Sequence, residues 1–195
     1  MANKLKLTLN RKNIISSVKA DTYITGNIDK SQDAVKNAAL AYNEQAGDDE
    51  YHEVKLFRTL RGSVAKFEAN MAEYVDTSDP NAAIVDNLSN DNDTFDIELN
   101  VGTRFNSAFR NTLASLAEDF LINMMLYTWW QSAKPNLAKD YYQFAQESLV
   151  YVRQCLSKSA PLVSQSSYAS PTGEIVAPTT TETTETTETT ETSNP

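Results

Sequence analysis

Apolar residues recur along this chain with two periods, one of two residues and one of three to four. The period of two covers residues 4–9 (KLKLTL) and 94–101 (TFDIELNV), and it predicts a short strand at each place. The longer period covers most of the remaining residues up to 158 and predicts amphipathic helices. We therefore expect a mainly α fold, a helical bundle with a small two-stranded β element.

Capping and breaking residues give approximate bounds to these helices. Asn10 can cap a first helix that runs to about Lys19. Further helices are expected at about residues 31–45, 50–75, 104–132 and 136–158, and a polar loop with at most about one helical turn is expected at 77–92. The last two helices are separated only around Pro135, and so short a connection predicts a long antiparallel C-terminal helical hairpin.

The three longest predicted helices each carry an apolar stripe that we expect to face the core. On the helix at 50–75 the stripe consists of Val54, Phe57, Leu60, Val64, Phe67, Met71 and Tyr74. On the helix at 104–132 it consists of Phe105, Phe109, Leu113, Leu116, Phe120, Leu121, Met124 and Met125. On the last helix it consists of Leu137, Tyr141, Phe144, Leu149, Val152, Cys155 and Leu156.

Two adjacent tryptophans, Trp129 and Trp130, lie at the tip of the predicted hairpin. Successive residues of an α-helix point about 100° apart, so both rings enter one core only if the helix is covered on two sides. Two interpretations stay open. Either both rings pack on neighbouring helices, or only one turns inward and the other anchors a contact between subunits.

The polar faces of the two predicted strands carry charges of opposite sign, lysines on the first strand and carboxylates on the second. The strands can therefore pair with matched charges, either within one chain or between neighbouring chains, since two strands alone make a marginal sheet. Together with the tryptophans, these residues form a predicted protein interface of Lys4, Lys6, Arg11, Asp96, Glu98, Trp129 and Trp130.

The composition argues against catalysis and against several kinds of ligand. One cysteine, Cys155, cannot supply a disulfide framework or a cysteine metal cluster. A catalytic triad or a histidine metal site can use no histidine other than His52, which we expect to be a solvated residue at a helix terminus. The acidic run DNDTFDIE has Asp96 at the position where a calcium loop needs glycine. We expect no enzyme activity, no cofactor, no metal and no membrane span, and the net charge of −9 makes the chain a poor general binder of nucleic acid.

The composition changes after residue 158, which divides the chain into a helical-bundle domain at 1–158 and a tail at 159–195. The tail consists mainly of Ser, Thr, Pro and Glu, ends in a Thr-Thr-Glu repeat and contains no basic residue. Such a low-complexity segment cannot bury enough apolar surface to fold alone, so we expect an extended tail. A solvated tail and a strap that docks on a partner are equally open interpretations.

Three stretches of the sequence carry a resemblance to a known family. They read KLTLNRKNIISSVKAD from Lys6, AYNEQAGDDEYHEVKLFRTL from Ala41, and RFNSAFRNTLASLAEDFLINMMLYTWWQSAKPNLAKDYYQFAQESLVYVRQCLSK from Arg104. These stretches resemble structural proteins of tailed phages that infect Bacteroidetes, including crAss-like phages. The resemblance covers about residues 4–162 and is greatest to a ring protein of the head-to-tail connector, beneath the portal.

The resemblance implies a virion protein, assembled in the host cytoplasm, whose helical-bundle subunits form a homo-oligomeric ring of twelvefold symmetry around the tail axis. Such a ring continues the DNA channel, contacts DNA passively, and docks the portal and other tail proteins. The alternative class is a non-enzymatic scaffolding or regulatory protein that binds a partner through its hairpin tip and stays a monomer or dimer. Particle size in solution distinguishes the two classes.

Overall fold

The computed structural model describes residues 3–30, 45–47, 49–74, 85–86, 88 and 92–158. In chain order its elements are β1 (Asn3–Asn10), α1 (Arg11–Lys30), α2 (Glu50–Asn70), β2 (Val85–Asp86), β3 (Thr94–Val101), α3 (Arg110–Trp130) and α4 (Pro135–Ser157). Short 3-10 turns lie at Ala72–Tyr74 and Ser107–Phe109. The described part is mostly helical with a small antiparallel sheet, which confirms the fold class at that level.

All of these elements belong to the first of two units into which the chain divides, residues 1–160 and 161–195. The tail predicted at 159–195 and nearly all of the helix predicted at 31–45 lie outside the described residues.

The sheet has β3 at its centre, with β1 antiparallel along one edge and the two-residue β2 antiparallel along the other. Leu7 lies opposite Ile97 in the β1–β3 register, and the apolar positions of both strands are buried while the residues between them are not. This burial follows the predicted period of two, because a strand with one covered face places every second side chain inside.

β2 lies within the segment at 77–92 for which the sequence predicts a loop, so that prediction is wrong at these two residues. Two residues are too few to show a hydrophobic period. Their strand conformation comes from pairing with β3, where Val85 lies opposite Ile97, and a local pattern does not contain that information.

The core is built around α3, which contacts α4, α2, α1 and β1. Its buried residues are Leu113, Ala117, Phe120, Leu121, Met124, Met125, Leu126, Trp129 and Trp130. The first half of α3 keeps an exposed polar face, whereas at 120–130 only Thr128 is exposed. A helical segment with apolar residues on nearly every side is stable in water only when neighbours cover those sides, and the other helices and the sheet supply them.

α4 makes the most extensive contact with α3 and follows it after only four residues, 131–134. Pro135 begins α4 instead of lying between the helices, since the first turn needs no N–H at that position. The buried residues of α4 include Ala138 and Ala145, whose small side chains let the two backbones approach closely.

α1 extends well beyond the end predicted near Lys19. Thr22 is fully buried on this extension, where its hydroxyl donates to the carbonyl oxygen of Lys19 at 2.9 Å and accepts the backbone N–H of Ala46 at 3.1 Å. A polar tertiary contact therefore holds the second half of the helix, and hydrophobic periodicity cannot reveal such a contact.

The predicted apolar stripes give burial correctly along their central line and wrongly for residues at their edges. Val54 and Phe144, both assigned to the core, are 64% and 50% exposed, whereas Leu56, which was not assigned, is buried. The stripe predicted on the helix at 104–132 also begins too early, because α3 starts at Arg110, after a 3-10 turn. A stripe two or three residues wide has positions at its edge whose burial depends on the neighbouring element.

Replacing Phe120 with alanine tests the central position of α3. Phe120 is fully buried with its ring 5.4 Å from that of Phe67, so we expect the variant to lose about 3–5 kcal/mol in the free energy of unfolding. Tyr51→Ala is the matched control, and we expect it to lose less than about 1 kcal/mol because the side chain is 87% exposed. Urea unfolding followed by circular dichroism measures both, and equal losses would contradict this core assignment.

Candidate protein interfaces

The charges on the polar face of the sheet pair within the chain. Lys6 Nζ lies 2.9 Å from a carboxylate oxygen of Asp96, and Lys4 Nζ lies 3.6 Å from one of Glu98. In the strand register Lys6 is opposite Glu98, so both ion pairs run diagonally between β1 and β3. The sequence left pairing within or between chains open, and the structure places these four residues together in one sheet. Exposed pairs of this kind contribute little energy and chiefly favour the correct register.

Asp96 is held by two side chains of β1. The hydroxyl of Thr8 donates to it at 2.6 Å, Lys6 lies on its other oxygen, and only 15% of the Asp96 side chain is exposed. The hydrogen bond from Thr8 and then that from Lys6 lower the pKa of Asp96 below its usual 3.8. The carboxylate therefore has a structural use within the sheet.

Arg11, the third basic residue of the predicted interface, lies where β1 passes into α1. Its backbone N–H donates to the carbonyl oxygen of Asp93 at 2.8 Å, and its guanidinium lies 4.0 Å from the Asp93 carboxylate. The neighbouring Asn10 caps α1 as predicted, since its Oδ1 accepts the N–H of Asn13 at 3.0 Å. The N–H of Asn10 donates to Glu118 at 3.1 Å and thereby links this corner to α3.

Trp129 and Trp130 are 5% and 0% exposed, so the structure buries both rings inside this chain. Of the two interpretations left open, the structure therefore agrees with the first, in which both rings pack inside this chain. Both rings are covered because this end of α3 is contacted by more than one element. Their surface is already used in the core, and neither ring has the exposed area that an interface anchor requires.

Basic side chains lie over both indole rings. Lys55 Nζ is 3.9 Å from the ring centroid of Trp129, and Lys134 Nζ is 4.5 Å from that of Trp130, which are cation–π distances. Burial lowers the pKa of Lys55. The lysine stems therefore cover this end of the core while their charged groups keep contact with the ring faces.

His52 lies in the first turn of α2 and is half-buried, with its ring edge-on to Trp129 at 5.6 Å between centroids. Its Nδ1 accepts the backbone N–H of Gly47 at 2.9 Å, and Asp49 caps the same helix by accepting the N–H of His52 at 2.9 Å. We expected a solvated residue at the helix end. The ring instead links α2, α3 and residues 45–47.

The remaining candidates for chemistry are dispersed in the described part of the chain. Cys155 is half-buried against the core on α4. Within the described ranges, no cluster of three or more histidine, cysteine or carboxylate side chains is arranged to hold a metal ion. No helix among the described residues combines the length and the apolar character needed to cross a bilayer.

An exposed aromatic pair on α4 was missed by the sequence analysis. Phe144 and Tyr151 are 50% and 55% exposed, and their separation of seven residues places them on one face of the helix. Tyr141 and Cys155, both half-buried, continue this stripe at three- and four-residue spacing. Periodicity did not identify the surface because an apolar stripe looks the same whether its own chain or another chain covers it.

A basic groove of about 760 Å³ lies between α1 and α2. The described residues that line it are Arg11, Ile15, Lys19, Glu53, Val54, Leu56, Phe57, Arg58 and Arg61. Four of these side chains are basic and one is acidic, in a chain whose net charge is −9. The groove could not be predicted from the sequence, because its cations come from two helices that are separated in the chain.

Comparisons with protein-family models, with curated proteins and with solved structures found no match for this chain.

Replacing Asp96 with asparagine tests the charge on the sheet. Because the pKa of Asp96 is lower in the folded state, its ionised form stabilises the fold above about pH 4, and this contribution is lost as pH falls through the folded-state pKa. We expect Asp96→Asn to lose about 1 kcal/mol at pH 7 and less near pH 3.

Urea unfolding at the two pH values measures this difference. Glu98→Gln is the matched control, since Glu98 lies farther from its lysine and is more exposed, and we expect a smaller loss. A loss for Asp96→Asn that is the same at both pH values would show that the charge is not responsible.

Proposed function

We propose that this protein is a non-enzymatic virion subunit that forms a homo-oligomeric ring in the head-to-tail connector of a tailed phage, below the portal. The class of protein comes from the sequence resemblance, whose longest stretch begins at Arg104 and spans α3 and α4. The structural observation that carries the assembly is the exposed stripe of Phe144 and Tyr151 on α4. The ring continues the DNA channel and docks the portal and other tail proteins.

The body of the proposed subunit is an antiparallel hairpin of α3 and α4 within a helical bundle. Two features support this arrangement: the extensive contact between the helices and their connection of four residues. With α3 enclosed by its neighbours, α4 has one side on α3 and another at the surface. α4 can therefore present apolar residues to a second subunit.

The apolar contact between subunits is made by the α4 stripe of Phe144 and Tyr151. Both side chains expose about half of their area, and burial of such aromatic area is the main source of energy in stable protein interfaces. The stripe runs at the three- and four-residue spacing by which helices pack on one another. The α4 stripe is therefore proposed as the apolar anchor between subunits, in place of the tryptophans.

A ring requires a head-to-tail contact, in which one face of a subunit meets a different face of the next. The described surface offers two faces of different chemistry, the aromatic stripe on α4 and the basic groove between α1 and α2. Two distinct faces suit a ring, whereas a two-fold dimer needs one self-complementary face. The alternative of a partner bound at the hairpin tip has lost its supporting observation, because both tryptophans are buried.

Particle size tests the proposed assembly. Mass photometry of the purified chain over a range of concentrations should show one discrete oligomer, and negative-stain electron microscopy should show closed rings with a central channel. A chain that stays monomeric or dimeric at every concentration would refute the ring. Detection of the protein in purified phage particles by mass spectrometry tests the virion assignment separately.

The double variant Phe144→Ser, Tyr151→Ser should reduce the fraction of assembled protein by at least about tenfold, because each truncated aromatic side chain removes interface area. Its thermal unfolding temperature as a monomer should change little, since both side chains are at the surface. Tyr142→Ser, Val150→Ser is the matched control, because these residues lie on the same helix with 45% and 50% exposure but on other faces. Equal loss of assembly in both double variants would contradict the proposed stripe.

A further inference from the structure

The groove between α1 and α2 combines a positive rim with an apolar wall. Arg58 and Arg61 are exposed on α2, and Arg11 and Lys19 contribute from α1. Ile15 and other apolar side chains line the space between these cations. A groove of this composition matches a ligand that carries several negative charges and some apolar side chains, because each part of the ligand then meets its complement.

The last residues of the same sequence have that chemistry. Glu174 is followed by the apolar run Ile175–Ala177, and then glutamates recur every third residue at Glu182, Glu185, Glu188 and Glu191. Threonines occupy the positions between these glutamates, and no basic residue occurs after Lys158. The charge of this segment is therefore opposite to that of the groove along its whole length.

We infer that the groove between α1 and α2 is a docking site for the acidic segment 174–195 of a neighbouring copy of this chain. The inference rests on the proposed function, since a ring supplies the neighbouring copy. It adds a second contact to the head-to-tail assembly: beside the apolar contact of the α4 stripe, the basic groove of one copy meets the Thr-Thr-Glu repeat of the next. The tail then acts as a strap that docks on a partner. This is one of the two interpretations that the sequence left open, the other being a solvated tail.

An extended conformation presents the glutamates of the repeat together. A three-residue repeat in a polyproline II conformation puts every glutamate on one face, about 9 Å apart.

Nucleic acid is the competing polyanion, and the apolar wall decides between the two. A duplex backbone presents phosphates and sugars, with no aliphatic side chains to occupy the space beside Ile15, Val54 and Phe57. The segment 174–195 supplies both the carboxylates and, at its beginning, an isoleucine and a valine. We therefore favour the acidic peptide, and DNA binding becomes an outcome of the test.

A peptide titration tests the site directly. A fluorescent peptide of residues 172–195 is added to the full-length protein in which Glu182, Glu185, Glu188 and Glu191 are changed to glutamine, so that its own tail does not compete. We expect saturable binding that weakens with added salt, because the contacts are exposed ion pairs. A peptide with the same four glutamates replaced by glutamine should bind at least about tenfold more weakly.

The groove variant Arg58→Glu, Arg61→Glu, made in the same background, should also weaken binding at least about tenfold, because attraction becomes repulsion. Arg104→Glu, Lys139→Glu is the matched control. It makes the same change of net charge at two exposed basic residues outside the groove, and binding should change less than about twofold. A peptide with lysine at the four glutamate positions should bind the groove variant better than the unmodified peptide does.

Carbodiimide cross-linking of wild-type protein identifies which copy supplies the tail. In a mixture of isotopically light and heavy chains, links between Lys19 and a tail glutamate should join light to heavy chains. Links confined to one isotope would show that each tail occupies its own groove, and this result would overturn the assignment to a neighbouring copy.

Two other results would overturn the inference: equal binding of the glutamate and glutamine peptides, or a DNA duplex that binds more tightly than the peptide and loses binding in the groove variant. Ring formation is scored separately by particle size. Rings without peptide binding would refute only the groove assignment, and peptide binding by a chain that never assembles would refute the ring.

Discussion

The enclosure of the second half of α3 is the constraint on which the rest of the structure depends. There the buried residues, including the adjacent pair Trp129 and Trp130, lie on nearly every side, so the helix is stable only when several neighbouring elements cover it. Much of the polar chemistry in the described part supports this cover. Glu118 accepts the N–H of Asn10 at the end of β1, and Arg110 donates to the carbonyl oxygen of Lys6 at 2.9 Å.

Two titratable side chains of the described part have structural partners. Asp96 is held by Thr8 and Lys6 on the outer face of the sheet, and His52 bridges Gly47 and Trp129. The functional proposals concern assembly because an aromatic stripe is exposed on α4 and four basic side chains line the groove between α1 and α2.

The sequence predicted those parts of the fold that depend on local pattern. The two long strands and the cap at Asn10 follow from alternation and from capping chemistry, both of which act over a few residues. Burial at Phe144 and Val54 was mispredicted, because it depends on which neighbour reaches the edge of a helix. The length of α1 was mispredicted for the same reason, since its second half is held by Thr22 and residues distant in sequence.

Prediction of the candidate sites from the sequence is limited in the same way, because they too depend on contacts between residues distant in the chain. The opposite charges of the two strands were visible in the sequence, and their pairing in one sheet was one of two open alternatives. The groove was not visible, because Arg11 and Arg58 become neighbours only when α1 and α2 both pack on α3.

The pairing of β1 with β3 has a consequence for how the chain folds during synthesis. Thr8 and Asp96 are 88 residues apart in sequence, yet they form a hydrogen bond across adjacent strands. Closing so long a loop is entropically costly, so contacts of this kind slow folding. The first strand leaves the ribosome long before its partner is made, and its edge stays unpaired until residues 94–101 emerge. The lysines of β1 then act as gatekeepers, since like charges on an unpaired edge discourage pairing with another nascent chain.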